Sequence, residues 1–231
     1  MQIDIQCSPS YAIAYCFLEA GEKLRAESGS MALMSTGLDV SVDAGPGGIA
    51  KGLMRKGLAK ESFFMTTYTA RVHGAWVAVA PKYPGDLHVV DVAEATGGMF
   101  VESGSLLALS GGLADDVRFA GLGNIAMHEG ATMQRVHGDG KLLLATYGGM
   151  QRFELADGES LIIDTGHIVA MSDQLRRSMR VGPLAGLVKA KLSGEGLVAE
   201  LTGPGVLLAQ TRAEAGLRSW LFPERGARNN G

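Results

Sequence analysis

The sequence predicts an all-β protein built from three tandem copies of one β unit. One segment occurs three times: Glu27-Ser28-Gly29-Ser30-Met31-Ala32-Leu33-Met34-Ser35 returns as Glu102-Ser103-Gly104-Ser105-Leu106-Leu107-Ala108-Leu109-Ser110 and as Asp164-Thr165-Gly166-His167-Ile168-Val169-Ala170-Met171-Ser172. A second recurrence runs out of phase with the first. Glu61-Ser62-Phe63-Phe64, Glu129-Gly130-Ala131-Thr132 and Glu195-Gly196-Leu197-Val198 each lead to a glycine and an apolar run, Trp76-Val77-Ala78-Val79-Ala80, Leu142-Leu143-Leu144-Ala145 and Val206-Leu207-Leu208-Ala209. Composition is the third sign, because 33 glycines in 231 residues without a collagen period fit many short strands joined by tight turns. A fixed period means that one supersecondary unit was multiplied, and such units rarely bury their apolar faces alone.

The markers divide the chain into units at 1–80, 81–148 and 149–212, followed by a tail at 213–231. Units of this size are at the low end of what sustains its own core, so the three are expected to fold as one body. Cys7 and Cys16 stand near the start without Cys-x-x-Cys spacing and read as two buried thiols.

Within each unit the first strand alternates. Leu24 and Ala26, Met99 and Val101, and Leu161 and Ile163 form one apolar face, the period-two signature of a half-buried strand. A turn follows, with Gly29, Gly104 or Gly166 at one place in it, where a positive φ is expected. The next strand is apolar on both faces, so one face fills its own unit and the other must meet another repeat or another subunit. Ala32, Met34, Leu107, Leu109, Val169 and Met171 are therefore the candidates for an oligomer interface. The alternative is a closed two-sheet sandwich that covers both faces within each unit. Residues 48–60 read either as a short helix through Ile49, Leu53 and Met54 or as a turn or hairpin, since Gly52 and Gly57 each cost about 1 kcal/mol in a helix interior. In the tail, Trp220 and Phe222 are expected to cap the last unit.

The run Lys60-Glu61-Ser62-Phe63-Phe64, then Pro84-Gly85, Tyr147-Gly148, Asp164-Thr165-Gly166-His167-Ile168-Val169-Ala170, and Gly194-Glu195-Gly196-Leu197 through Gly203-Pro204-Gly205 to Gln210-Thr211-Arg212 resembles the family named for altered inheritance of mitochondria protein 24. The resemblance spans nearly the whole chain. It implies a fold like that of the trp RNA-binding attenuation protein, a short double-stranded β-helix or β-sandwich present three times per chain, with three chains forming a ring of nine units. It implies no activity: the mitochondrial member is associated with inner-membrane organisation, and without a transit-peptide pattern here that role does not carry over directly.

Chemical signatures are sparse. Gly45-Pro46-Gly47-Gly48-Ile49-Ala50 and Gly121-Leu122-Gly123-Asn124-Ile125-Ala126 fit a loose dinucleotide pattern, but neither opens a long helix in a βαβ unit, as pyrophosphate binding requires. His73, His88, His128, His137 and His167 include no His-x-His pair, and adjacent His128 and Glu129 on a strand point to opposite faces. No catalytic residue, cofactor or metal site is assigned. His167, in the place of Ser30 and Ser105, reads as a turn or interface hydrogen-bond partner.

The basic residues Lys51, Arg55, Lys56 and Lys60 in the first unit, and Arg176, Arg177 and Arg180 in the third, are candidates for binding an anionic surface. With a net charge of -3 and 6% aromatic residues, nucleic acid is not an expected partner. The start of the chain lacks a signal-peptide pattern, and a cytoplasmic location is expected. The expected function is a non-catalytic homo-oligomeric binding or scaffolding protein, a homotrimer by resemblance. The alternative is a membrane-surface organiser binding anionic lipid or an acidic partner through the basic stretches. A metal-dependent enzyme of the double-stranded β-helix class comes third.

Overall fold

The computed structural model describes residues 1–43, 65–94, 97–117, 133–183 and 197–222 of the 231. Across them the chain runs through β1 (Gln2–Gln6), β2 (Ile13–Leu18), β3 (Lys23–Glu27), β4 (Met31–Met34), β5 (Leu38–Asp43), β6 (Met65–Ala70), β7 (Ala75–Val79), β8 (Leu87–Asp91), β9 (Met99–Glu102), β10 (Leu106–Ser110), β11 (Leu113–Val117), β12 (Met133–Gly138), β13 (Lys141–Ala145), β14 (Met150–Leu155), β15 (Ser160–Asp164), β16 (Ile168–Ser172), helix α1 (Asp173–Ser178), β17 (Arg180–Pro183), β18 (Leu197–Thr202), β19 (Gly205–Gln210) and helix α2 (Glu214–Leu221). The fold is all-β with little helix. The reading of residues 48–60 lies outside the described residues.

Strands pair antiparallel in four sheets: β1-β2-β7-β4, β5-β6-β3-β10-β13-β8, β11-β12-β9-β16-β19-β14 and β15-β18-β17. Raising every strand number of the second sheet by six reproduces the third. The same step upward gives β17-β18-β15, and the step downward gives β4-β7-β2. The first and last sheets are thus two halves of the six-stranded pattern, with β1 added to one of them.

Three apolar cores lie between successive sheets. Cys16, Leu18, Val77 and Val79 of the first sheet pack with Leu24, Tyr68, Leu107 and Leu143 of the second. The second sheet's Leu106, Leu109, Leu142 and Leu144 pack with Val101, Val136, Val169 and Leu208 of the third. Ile168, Met171 and Leu207 then meet Leu161, Ile163, Ala199 and Leu201, with Leu175 of α1 filling the same core. The two central sheets have a core on each face, which is why their inner strands β10, β13, β16 and β19 are apolar without alternation.

A β-bulge resolves the doubly apolar strand. Leu106 pairs with Leu144 and Ala108 with Leu143, leaving Leu107 as the extra residue. The same shift occurs at Val169 and at Ala32. The bulge turns Leu107 toward the first core while Leu106 and Leu109 serve the second.

Three local expectations are corrected. Of the recurring turn glycines, Gly29 alone has a positive φ, +92°. Gly104 and Gly166 sit in 3-10 turns, where glycine leaves room for the preceding acid to fold back: Asp164 Oδ1 accepts the Gly166 N–H at 2.8 Å, and a Cβ on Gly104 would lie 3.1 Å from the Glu102 carboxylate. Cys7 is exposed, and only Cys16 is buried, its thiol pushed up to about 12 by burial. Trp220 and Phe222 are about three-quarters exposed, so they do not cap the last unit by burial.

Because Leu107 is fully enclosed, Leu107→Ala should cost about 2–5 kcal/mol in denaturant unfolding. Leu107→Glu or Val169→Glu should give an unfolded chain by circular dichroism, since each would strand a charge in a core without a partner.

Candidate functional site

The two half-sheets end in open edges. β10 pairs with β3 on one side and β13 on the other, and β16 pairs likewise with β9 and β19. Among the described residues β4, in the corresponding place, pairs with β7 alone, and β15, in the place of β3 and β9, pairs with β18 alone. Both edges are apolar: Leu33 is 50% exposed and Ile162 58%, with Met31 and Met34 also exposed. An exposed apolar edge strand is a template for pairing with another chain.

The interface candidates divide accordingly. Leu107, Leu109, Val169 and Met171 fill the chain's own interior, so their second face meets another repeat and not another subunit. Ala32 and Met34 lie on the open edge of β4 and are exposed.

Each internal joint between units is locked by one side chain. On β3, Arg25 faces Leu109, donates to the Leu113 carbonyl at 2.9 Å and pairs with Asp115 at 2.6 Å. On β9, Phe100 faces Met171 and lies beneath the Arg176 guanidinium, 5.7 Å from its ring centre. This accounts for Arg176, which is half-buried. Arg177 pairs with Asp173 within α1, and Arg180 stands opposite Glu200 on the neighbouring strand. Arg176 and Arg177 therefore have partners within the third unit, while Arg180 is exposed. Lys51, Arg55, Lys56 and Lys60 lie outside the described residues.

A cavity of about 180 Å³ opens where turns of all three units approach one another, beneath α2. Glu27, Glu102, Ser105, Thr165 and Gly166 line it together with Lys82, Tyr83, Tyr147, Gln210 and Glu214. Lys82 is paired with Glu27, and Tyr83 and Tyr147 pack with ring centres 5.5 Å apart. His167, in the adjacent turn, is hydrogen-bonded through Nδ1 to the Gln210 carbonyl at 2.7 Å. Burial alone would raise the Glu214 carboxyl, but hydrogen bonds from Arg218 and Tyr83 and the charges of Arg218 and Lys82 hold it below the ordinary glutamate value.

Sequence reading weighed His88 only among the five histidines tested for a metal and did not name Ser8 or Asp86, yet the fold brings the three together. Ser8 Oγ donates to Asp86 Oδ1 at 2.7 Å, and His88 Nε2 lies 3.3 Å from Asp86 Oδ2. The carboxylate stands between hydroxyl and imidazole, so the histidine does not take the place of a base for the serine, as in a hydrolytic triad. Burial lowers the His88 pKa despite the opposing pull of Asp86. Among the described residues no group of three or more His, Cys, Asp or Glu side chains is placed to hold a metal, and no helix is long and apolar enough to cross a membrane.

The sequence matches the profile described as Mitochondrial biogenesis AIM24 over residues 3–212. The chain belongs to the AIM24 family. A solved crystal structure of a Streptococcus pyogenes protein is similar with a TM-score of 0.78 at 23% identity, covering 95% of this chain and 97% of that one. At that identity the likeness speaks for a shared fold alone. No curated protein matches the sequence.

Two pH effects follow. His88 takes its proton more readily in the unfolded chain, so its contribution to stability is present above the ordinary imidazole pKa and is lost as pH falls through it. Denaturant midpoints should decline between about pH 7 and pH 5, and His88→Leu should flatten that slope. Glu214 has the depressed pKa of an engaged carboxylate, so what it contributes is present above the unfolded value and lost as pH falls through the folded one. Tyr83→Phe should move the acid release of α2, read by Trp220 fluorescence in a Trp76→Phe background, to higher pH.

Proposed function

We propose that this AIM24-family chain is a non-catalytic, self-assembling binding or scaffolding module that closes into a homo-oligomeric ring, with three copies as the expected number. One observation carries the reading: the chain ends in two complementary halves of the six-stranded sheet that it completes twice internally. Each unit is then a short double-stranded β-helix whose sheets are shared with its neighbours, as the family resemblance implies. Head-to-tail addition of copies through unlike surfaces gives a ring when the rotation closes. The cavity beneath α2, lined by all three units, would be carried once per copy on such a ring. A cytoplasmic location is part of the proposal.

A second reading rests on α2. Leu217, Trp220 and Leu221 follow helical spacing, and Trp220, Leu221 and Phe222 are exposed at the end of the chain's described residues. An amphipathic helix tipped with aromatic residues suits a lipid surface. Co-sedimentation with anionic vesicles that Trp220→Ala and Phe222→Ala abolish would favour it over a purely soluble scaffold.

The deciding measurement is the absolute mass by light scattering across a range of concentrations. A stable species at three times the 24.2 kDa chain is expected. A monomer at all concentrations would overturn the assembly.

A further inference from the structure

We propose that β15 of one copy adds antiparallel to β4 of the next in one register, Leu33 opposite Ile163, Met34 opposite Ile162 and Ser35 opposite Leu161, with Ile162 of one copy seated against Val40 of the next. This rests on the assembly reading above and goes beyond it by naming the joint.

The register comes from the two joints inside the chain. At the first, Ala108 faces Ala26, Leu109 faces Arg25 and Ser110 faces Leu24. At the second, Ala170 faces Val101, Met171 faces Phe100 and Ser172 faces Met99. The recurring segments align Leu33 with Ala108 and Ala170, and Ile163 with Ala26 and Val101. Both joints therefore require the same register at the third. The bulge that β10 and β16 carry is already present in β4, between Met31 and Leu33, so the edge is shaped for its partner before the partner arrives.

The occupant is a second copy because the chain itself carries the missing half of each sheet. Joining β17-β18-β15 to β4-β7-β2 regenerates the order of the two complete sheets. No other segment of the described chain remains to cover either edge.

The Ile162–Val40 contact follows from the same correspondence. Arg25 reaches Asp115, which faces Val136 across β11 and β12. Val40 faces Tyr68 across β5 and β6, at the station where Asp115 stands in the next unit. Ile162 holds the place of Arg25. An ion pair that locks two covalently tethered units is thus replaced, between copies, by two apolar side chains that are 58% and 49% exposed in the single chain. Burying both adds a hydrophobic drive to association that the tethered joints do not need. It also sets the chain's end apart from its interior: a β15 edge carrying Ile162 gains little from the Asp115 station and fits the Val40 station.

The test is a charge-swap cycle on the full chain. Ile162→Arg and Val40→Asp singly should each raise the concentration at which the assembly dissociates by about 10-fold or more, while circular dichroism and the unfolding midpoint of the dissociated chain stay unchanged, because both side chains are exposed in it. The double variant, which copies the Arg25–Asp115 lock, should restore the assembled mass. In a Cys7→Ser background, Met34→Cys with Ile162→Cys should oxidise to an intermolecular cross-link, and Met34→Cys with Leu161→Cys, one residue out of register, should not. An assembled wild type whose single variants stay assembled, or whose cross-link forms only out of register, overturns this joint and leaves the assembly reading standing. A monomeric wild type overturns both.

Discussion

Strand pairing across the unit boundaries, β3 with β10 and β9 with β16, is the constraint from which the rest of the architecture follows. Each pairing fuses three strands of one unit to three of the next, so no unit owns a complete sheet. The cores then fall between successive sheets, and the two central sheets have a core on each face. A seventy-residue unit alone would bury too little apolar surface to be stable, whereas a shared sheet gives each unit a second buried face. The arrangement has a cost that appears only at its ends, where β4 and β15 are left as apolar edges.

The bulge at Ala32, Leu107 and Val169 lets one strand serve two cores. In a regular strand neighbouring side chains alternate strictly, and a four-residue apolar run would have a fixed half on each face. One extra residue shifts the phase midway. Leu107 thereby enters the core of the preceding unit while Leu106 and Leu109 both enter the core of their own unit. The cores on either side of the strand are consequently well filled, and an unpartnered charge at Leu107 or Val169 is incompatible with folding.

Several of the described polar groups are engaged in contacts within the chain. Arg25 with Asp115, Lys82 with Glu27, and Glu214 with Arg218 and Tyr83 each join elements that are distant in sequence or close the tail onto the body. Ser8, Asp86 and His88 likewise tie the loop after β1 to the start of β8. In each of these cases the charge is met within the chain, whereas among the described residues the apolar edge strands β4 and β15 and the tip of α2 are exposed.

The all-β class, the recurring segments and the doubly apolar strands were legible in the residues, because periodicity and turn composition are local properties that survive in one dimension. The family was legible too, from motifs in order along the chain. The candidate site was legible only in part. Ala32 and Met34 share a sequence pattern with Leu107, Leu109, Val169 and Met171, and nothing local separates the exposed pair from the buried four. The difference lies in position along the repeat array: among the described residues β4 of the first unit pairs with β7 alone and β15 of the third with β18 alone, whereas the corresponding strands between units have a partner on each side. The turn glycines show the same limit, since Gly29 takes a positive φ and Gly104 and Gly166 do not, according to how each acid folds over its turn. Sequence alone determined which strands form and which faces are apolar, through side-chain chemistry at period two. Tertiary structure alone decided which of those faces stay open, because burial depends on which neighbour the chain supplies.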